Sequence, residues 1–195
     1  MSEDKVDYEK LKTQLKYYKK HVSDGYVINW KTTRFLIKLI NTMKPQRVLD
    51  LGTGWSSYIL RFGDAEVCSL DTNEKWVEKT RGFLEMHNLD NGYIGLLEDY
   101  ALPTEPTYDL VLLDTQPGRE RHKLFPVVKK CCKGIIVFDD WQTWRIREPA
   151  IEFFKDWEIL ELEERTKDSY DRFIAVAYRD LEYRRIINKV FEEWT

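Results

Sequence analysis

Little in this chain of 195 residues would tie it to a membrane, a polyanion or an oxidising compartment. No apolar run is long enough to span a bilayer, and the polar N-terminus does not read as a secretion signal. The net charge is only -3, with lysines and arginines balanced by acids throughout, so there is no electrostatic footprint for nucleic acid. The few cysteines, Cys68, Cys131 and Cys132, lack metal-site spacing. They read as reduced thiols of a cytoplasmic protein, with Cys68 filling a strand. No Gly-x-x-x-x-Gly-Lys-Ser/Thr run occurs, which leaves a nucleoside triphosphate site unsupported. Internal repeats and low-complexity linkers are missing as well. A hydrophobic fraction of 43% over this length suits one well-buried domain, residues 1–195, with no room for two large ones.

What is present is most informative at Arg47-Val48-Leu49-Asp50-Leu51-Gly52-Thr53-Gly54-Trp55-Ser56-Ser57. This reads as a buried strand ending near an acid, a turn through two glycines, and a helix opening at Ser56 and Ser57. Glycines let backbone approach a ligand, and a helix N-terminus offers free N–H groups. A tight turn also needs glycine for packing alone, so the pattern acquires weight only from other strand ends. Three such ends agree with it. Glu66-Val67-Cys68-Ser69-Leu70 ends at Asp71, about twenty residues past the turn, where a doubly wound fold places a carboxylate for ribose hydroxyls. Tyr108 to Leu113 ends at Asp114, and Gly134 to Phe138 ends at Asp139 and Asp140. In an open parallel sheet these acids converge on one crevice at the carboxyl ends of the strands. A dinucleotide would want a third glycine where Trp55-Ser56-Ser57-Tyr58 stands, so a cofactor without phosphates fits better.

These residues resemble the class I S-adenosylmethionine-dependent methyltransferases, over about Tyr26 to Tyr178. The resemblance implies an α/β, Rossmann-like, doubly wound and mostly parallel seven-stranded sheet. It implies that Asp50, Gly52, Thr53 and Gly54 hold the methionine part of the cofactor, with Ser56 and Ser57 opening the helix behind them. Asp71 would hold the ribose and Asp99, after Tyr93 to Leu97, the adenine amino group. Trp55 and Tyr100, just past strand ends, are placed to cover the adenine ring or attract the sulfonium, as are Trp141 and Trp144. Ser56 stands where many members carry a further glycine.

The acceptor end is nearest in layout to the catechol-type O-methyltransferases. There an Asp and then an Asp-Asn pair bind a divalent ion, which implies Mg²⁺ or Mn²⁺ on Asp114, Asp139 and Asp140. This chain has Asp140 where those enzymes have Asn. The alternative is that Asp114 faces cofactor or solvent while Asp139 and Asp140 cap a loop. Three carboxylates in one crevice repel unless a cation or protons neutralise them. Asp114, His122 and Asp139 are the candidate catalytic groups. Arg119, Arg121, His122 and Lys123 can as a group orient an acceptor, and His122 titrates where a base is useful. For each of the four singly, a solvated helix turn is the plainer reading. Trp30, Trp76, Trp157 and Trp194 read as packing, and His21 and His87 as surface residues.

Around the core (45–178) the pattern predicts N-terminal helices (1–44) and a C-terminal helix (179–195). Tyr8, Leu11, Leu15 and Tyr18 recur at helical spacing, and a second helix runs from Trp30 to Ile40, with a Ser23-Asp24-Gly25 turn between. In related enzymes added N-terminal helices cover the acceptor pocket, implying a lid with Tyr17 or Tyr26 facing the acceptor. Further helices are expected over Asn73–Asn88, exiting through Asn88-Leu89-Asp90-Asn91-Gly92, and over Arg119–Lys130, Glu148–Trp157 and Leu181–Trp194. Two strands are expected at Ile159–Leu162 and Phe173–Ala177.

The expected activity is methyl transfer from S-adenosylmethionine to a small hydroxylated acceptor. N-methylation or nucleic-acid methylation is the runner-up, weakened by the missing Asp/Asn-Pro-Pro-aromatic loop and Pro-Cys nucleophile. A non-catalytic cofactor-binding subunit is the alternative of a different class. Nothing in the sequence sets the oligomeric state, and a homo-oligomer stays open.

Overall fold

The apolar runs that end on aspartate pair side by side as parallel strands. In a computed structural model describing residues 6–23, 27–89, 91–115 and 117–192, they are β1 (Arg47–Leu51), β2 (Glu66–Asp71), β4 (Tyr108–Leu113) and β5 (Cys132–Phe138). With β3 (Gly92–Leu96), β6 (Glu158–Glu161) and β7 (Ala175–Tyr178) they form a seven-stranded sheet of order β3-β2-β1-β4-β5-β7-β6. Neighbours from β3 to β5 are parallel, and β7 runs antiparallel to both β5 and β6.

Alternation along each strand divides the core in two. Val48, Leu110, Leu112, Ile135 and Val137 point to one face, and Leu49, Val111, Leu113, Ile136 and Phe138 to the other. Both faces are covered, which is why these strands read as continuous apolar runs. The first face carries side chains of α1 (Tyr8–His21), α2 (Trp30–Met43), α3 (Trp55–Leu60), α4 (Glu74–Met86) and α8 (Leu181–Glu192). The second carries α5 (Phe125–Cys131) and α6 (Trp144–Phe153), and the short α7 (Glu163–Thr166) precedes β7. Strand order reverses between β1 and β4, and a sheet of this kind opens a ligand crevice at such a point.

Some element boundaries differ from expectation. The helix predicted over Arg119–Lys130 is a 3-10 helix, Gly118–Leu124, followed by α5. Pro126 has no N–H to give and its ring would clash four residues back, so it starts a helix and cannot continue one. Helix α6 begins at Trp144 rather than Glu148, leaving Pro149 inside it instead of in the first turn. Asp24, Gly25, Tyr26, Asp90, Gln116 and Trp194 lie outside the described residues. Among the described residues no helix is long and apolar enough to cross a membrane. All three cysteines are buried free thiols.

Candidate active site

The glycine turn is built inward before it is built toward a ligand. Gly52 has φ 122°, and a Cβ there would lie 2.6 Å from the carbonyl carbon and oxygen of Asp114. The close approach that requires glycine is therefore that of the β4 end. Asp50 is fully buried and accepts from Ser57 Oγ at 2.5 Å and Ser56 Oγ at 3.1 Å. Burial pushes its carboxyl up to about 6, against the downward pull of the Ser57 hydroxyl and Arg61. A buried carboxylate needs donors, so the two serines are spent bracing the turn and do not face the crevice. Arg61, also buried, ties the same region by donating to Ser57 O at 2.9 Å and Ser69 Oγ at 2.8 Å. Trp55 turns into the core: its Nε1 donates to Thr33 Oγ1 at 3.1 Å and its ring lies 5.6 Å from Tyr18. Its ring is buried there, and Trp55 is not among the residues lining the crevice.

Gly52, Thr53 and Asp71 line one wall of a crevice of about 290 Å³. Asp71 Oδ2 accepts from Thr53 N at 2.8 Å and Thr53 Oγ1 at 3.1 Å, and Oδ1 accepts from Asn73 N at 2.9 Å. The second strand end thus grips the glycine turn, and burial pushes the Asp71 carboxyl above its usual range. Trp76, near the start of α4, lines the same wall. Its helical spacing reads as packing; the only sequence signal was its place just after the Asp71 strand end. Asp99 is exposed beyond β3 and lines no part of the crevice. Tyr100 packs on Tyr93 with centroids 5.3 Å apart and shares a 3.3 Å hydrogen bond with Tyr108, the first residue of β4. It therefore points to the amino end of the sheet, away from the crevice.

The adjoining wall, which meets Gly52 at the Asp114 backbone, holds Asp114, Asp139 and Asp140, with a carboxylate oxygen of each within 4.8 Å of the others. Burial pushes Asp139 up to about 7, helped by the charge of Asp140 and opposed by Arg121 and Arg172. Burial also holds Asp114 well above the usual range, with Asp139 adding to the effect and Arg121 opposing it. The 3-10 helix folds Arg121 back into this cluster, where its side chain is fully buried. Its Nη2 lies 2.6 Å from Asp114 Oδ1 and 3.3 Å from Asp140 Oδ2. The plain reading of Arg121 as part of a solvated turn is thus overturned. His122 is exposed, with Nδ1 3.1 Å from Arg119 O, and does not reach the acids. Lys123 pairs with Glu120 on the surface at 3.0 Å.

Val27, Ile28 and Arg172 complete the crevice. Arg172 is held by Asp168 at 2.8 Å and donates to Val27 O at 3.3 Å. These residues belong to segments between helices and strands, where no periodicity marked them. Trp141 packs against Phe138 at 5.4 Å in the core, and Trp144 is exposed beneath the Arg145 guanidinium.

Solved structures share this arrangement of strands and helices. The O-methyltransferase from Bacillus cereus in complex with S-adenosylhomocysteine superposes with TM-score 0.67 at 17% identity, covering 89% of this chain and 91% of that one. An O-methyltransferase of tomaymycin synthesis from Streptomyces achromogenes, in complex with S-adenosylmethionine, gives 0.67 at 12% identity over 90% and 91%. The chain has the fold of these methyltransferases. A tRNA methyltransferase from Aquifex aeolicus also shares it, with TM-score 0.59 at 18% identity over 78% of this chain and 69% of that one. No protein-family model and no curated protein matches the sequence, so the likeness lies in the fold.

Proposed function

We propose that this chain is a single-domain methyltransferase that moves a methyl group from S-adenosylmethionine to a small hydroxylated acceptor in the cytoplasm. The observation carrying this reading is one crevice at the β1–β4 reversal with two chemically different walls. The Gly52, Thr53, Asp71 and Trp76 wall suits a nucleoside with an amino-acid end, and the Asp114, Asp139 and Asp140 wall suits a hydroxyl that must lose a proton. When bound, the cofactor supplies an electrophilic methyl group on a sulfonium. In this reading Asp71 accepts from ribose hydroxyls, Thr53 and the glycine turn hold the methionine part, and Trp76 covers the nucleoside in the role expected of Trp55 or Tyr100. Asp139 accepts the acceptor's proton. Holding both partners in line contributes on the order of 7–11 kcal/mol. Incubation with labelled cofactor and pooled phenols, sugars and amines tests the reading, since label confined to amines would make this an N-methyltransferase and no transfer at all a binding subunit.

A divalent ion on the acid wall does not fit the residues around it. The oxygen set itself suits Mg²⁺ or Mn²⁺. Yet Arg121 Nη2 already bonds Asp114 at 2.6 Å and Asp140 at 3.3 Å, so an ion would share two of its three ligands with a guanidinium. No step is routed through an ion.

Three results are expected. Asp71→Ala should weaken calorimetric binding of S-adenosylmethionine and its demethylated product by about 1.5–3 kcal/mol, the worth of hydrogen bonds to a charged acceptor. Unchanged affinity would remove Asp71 from the site. Turnover should rise with pH through about 7, because Asp139 accepts a proton only when ionised and burial among Asp114, Asp140, Arg121 and Arg172 holds it there. Asp139→Asn should lower kcat by about 10²–10⁴-fold and flatten that rise, with cofactor affinity nearly unchanged. A retained pH profile in the variant would assign the base elsewhere.

A further inference from the structure

We infer that Arg121 is the built-in counterion of the acid wall, assembling Asp114 and Asp140 so that this site takes no divalent ion and needs none. Three carboxylates within 4.8 Å of one another require compensation, and the nearest cation is already bonded among them. The guanidinium is held by more than its ion pairs. Nε donates to Thr115 O at 2.7 Å, Nη1 to Asp139 O at 2.9 Å, and Nη2 to Asp114 O at 3.3 Å as well as to the two carboxylates. These carbonyls belong to the ends of both β4 and β5. Swinging Arg121 aside to admit an ion would leave buried carbonyls and a buried cation unpaired, which costs more than losing any single bond. The planar fork matches this set, one donor edge for each strand end, in a way a lysine cannot.

The local chain is shaped for the placement. The 3-10 helix brings Arg121 back over the strand ends. Asp140 holds φ 55°, a left-handed conformation that aspartate tolerates better than most residues, in the turn that carries its carboxylate to Arg121. Arg121 accounts for one of three negative charges. Arg172 lines the same crevice as a second cation. Arg121 is thus a positioning residue: it sets the spacing and charge of the carboxylates that meet the acceptor.

The role toward the acceptor rests on the methyl-transfer reading, but the ion-binding test does not. Mn²⁺ titrated into the full chain and followed by electron paramagnetic resonance should show no saturable site at millimolar ion. Mg²⁺ should leave the melting temperature unchanged, and turnover on any identified acceptor should survive chelator. Arg121→Met should bind Mn²⁺ at least tenfold more tightly than the wild type, and adding Asp139→Asn should abolish the gain. Arg121→Lys should still exclude Mn²⁺ while losing about tenfold in turnover. One Mn²⁺ per wild-type chain, lost in Asp139→Asn, would overturn the inference even if Arg121→Met does not fold. A folded Arg121→Met with no gain in binding would overturn it too. If no acceptor is ever methylated, the Mn²⁺ experiments still decide the matter.

Discussion

A chain lacking residues 1–22 is expected to lose its cooperative fold, not merely its turnover. The lid role implied for the first helix would have spared cofactor binding. Instead Leu11, Leu15 and Tyr18 are buried in the same cluster as Phe35, Trp55 and Phe83. The Tyr18 ring lies 4.8 Å from Phe83 and 5.6 Å from Trp55, beneath the glycine turn. Each of these side chains contributes about 1.5–3 kcal/mol by burial, so their joint loss is on the order of 5–9 kcal/mol. A domain has roughly 5–15 kcal/mol in all. Tyr17, a residue proposed to face the acceptor, is exposed and packs on His21 instead. Tyr18→Ala alone should cost about 3–5 kcal/mol in urea unfolding. A shortened chain that unfolds cooperatively at the wild-type midpoint would return the helix to the role of a cover.

Gly52→Ala should be the most damaging change in the turn. The new Cβ would stand 2.6 Å from two backbone atoms of Asp114, which cannot swing away like the end of a flexible side chain, and φ 122° is strained for any other residue. Backbone strain and overpacking together cost on the order of 2–6 kcal/mol. Relief would require moving the β4 end, and with it Asp114 and its bond to Arg121. Both the melting temperature and calorimetric affinity for S-adenosylmethionine should therefore fall. Gly54→Ala is also strained, at φ 155°, but should be milder, since its Cβ would meet only the Tyr18 hydroxyl at 3.5 Å. A Gly54 variant more harmful than the Gly52 variant would mean that packing against the β4 end does not set the need for glycine.

The parts of this protein legible without coordinates are those written in contiguous residues. Continuous apolar runs announced buried parallel strands, and the acid closing each run announced the crevice, because a parallel sheet brings all its carboxyl ends to one edge. Gly52, Thr53, Asp71, Asp114, Asp139 and Asp140 do line that crevice. Side-chain direction was not legible. Trp55, Ser56, Ser57 and Tyr100 sit near strand ends yet turn inward or to the far edge, because a buried Asp50 needed donors and the core needed rings. Trp76 and Arg172 entered the crevice from a helix start and a loop whose local patterns look like any others.

The charge balance of the acid wall was decided by tertiary structure alone. Sequence established that three carboxylates would meet and that something must neutralise them. It could not single out Arg121, which lies seven residues from Asp114 and nineteen from Asp140 and has three other basic residues, Arg119, His122 and Lys123, close by in the chain. Pairing energy depends on distance through a low dielectric, and that distance exists only after the 3-10 helix has folded one side chain of the four into the strand ends.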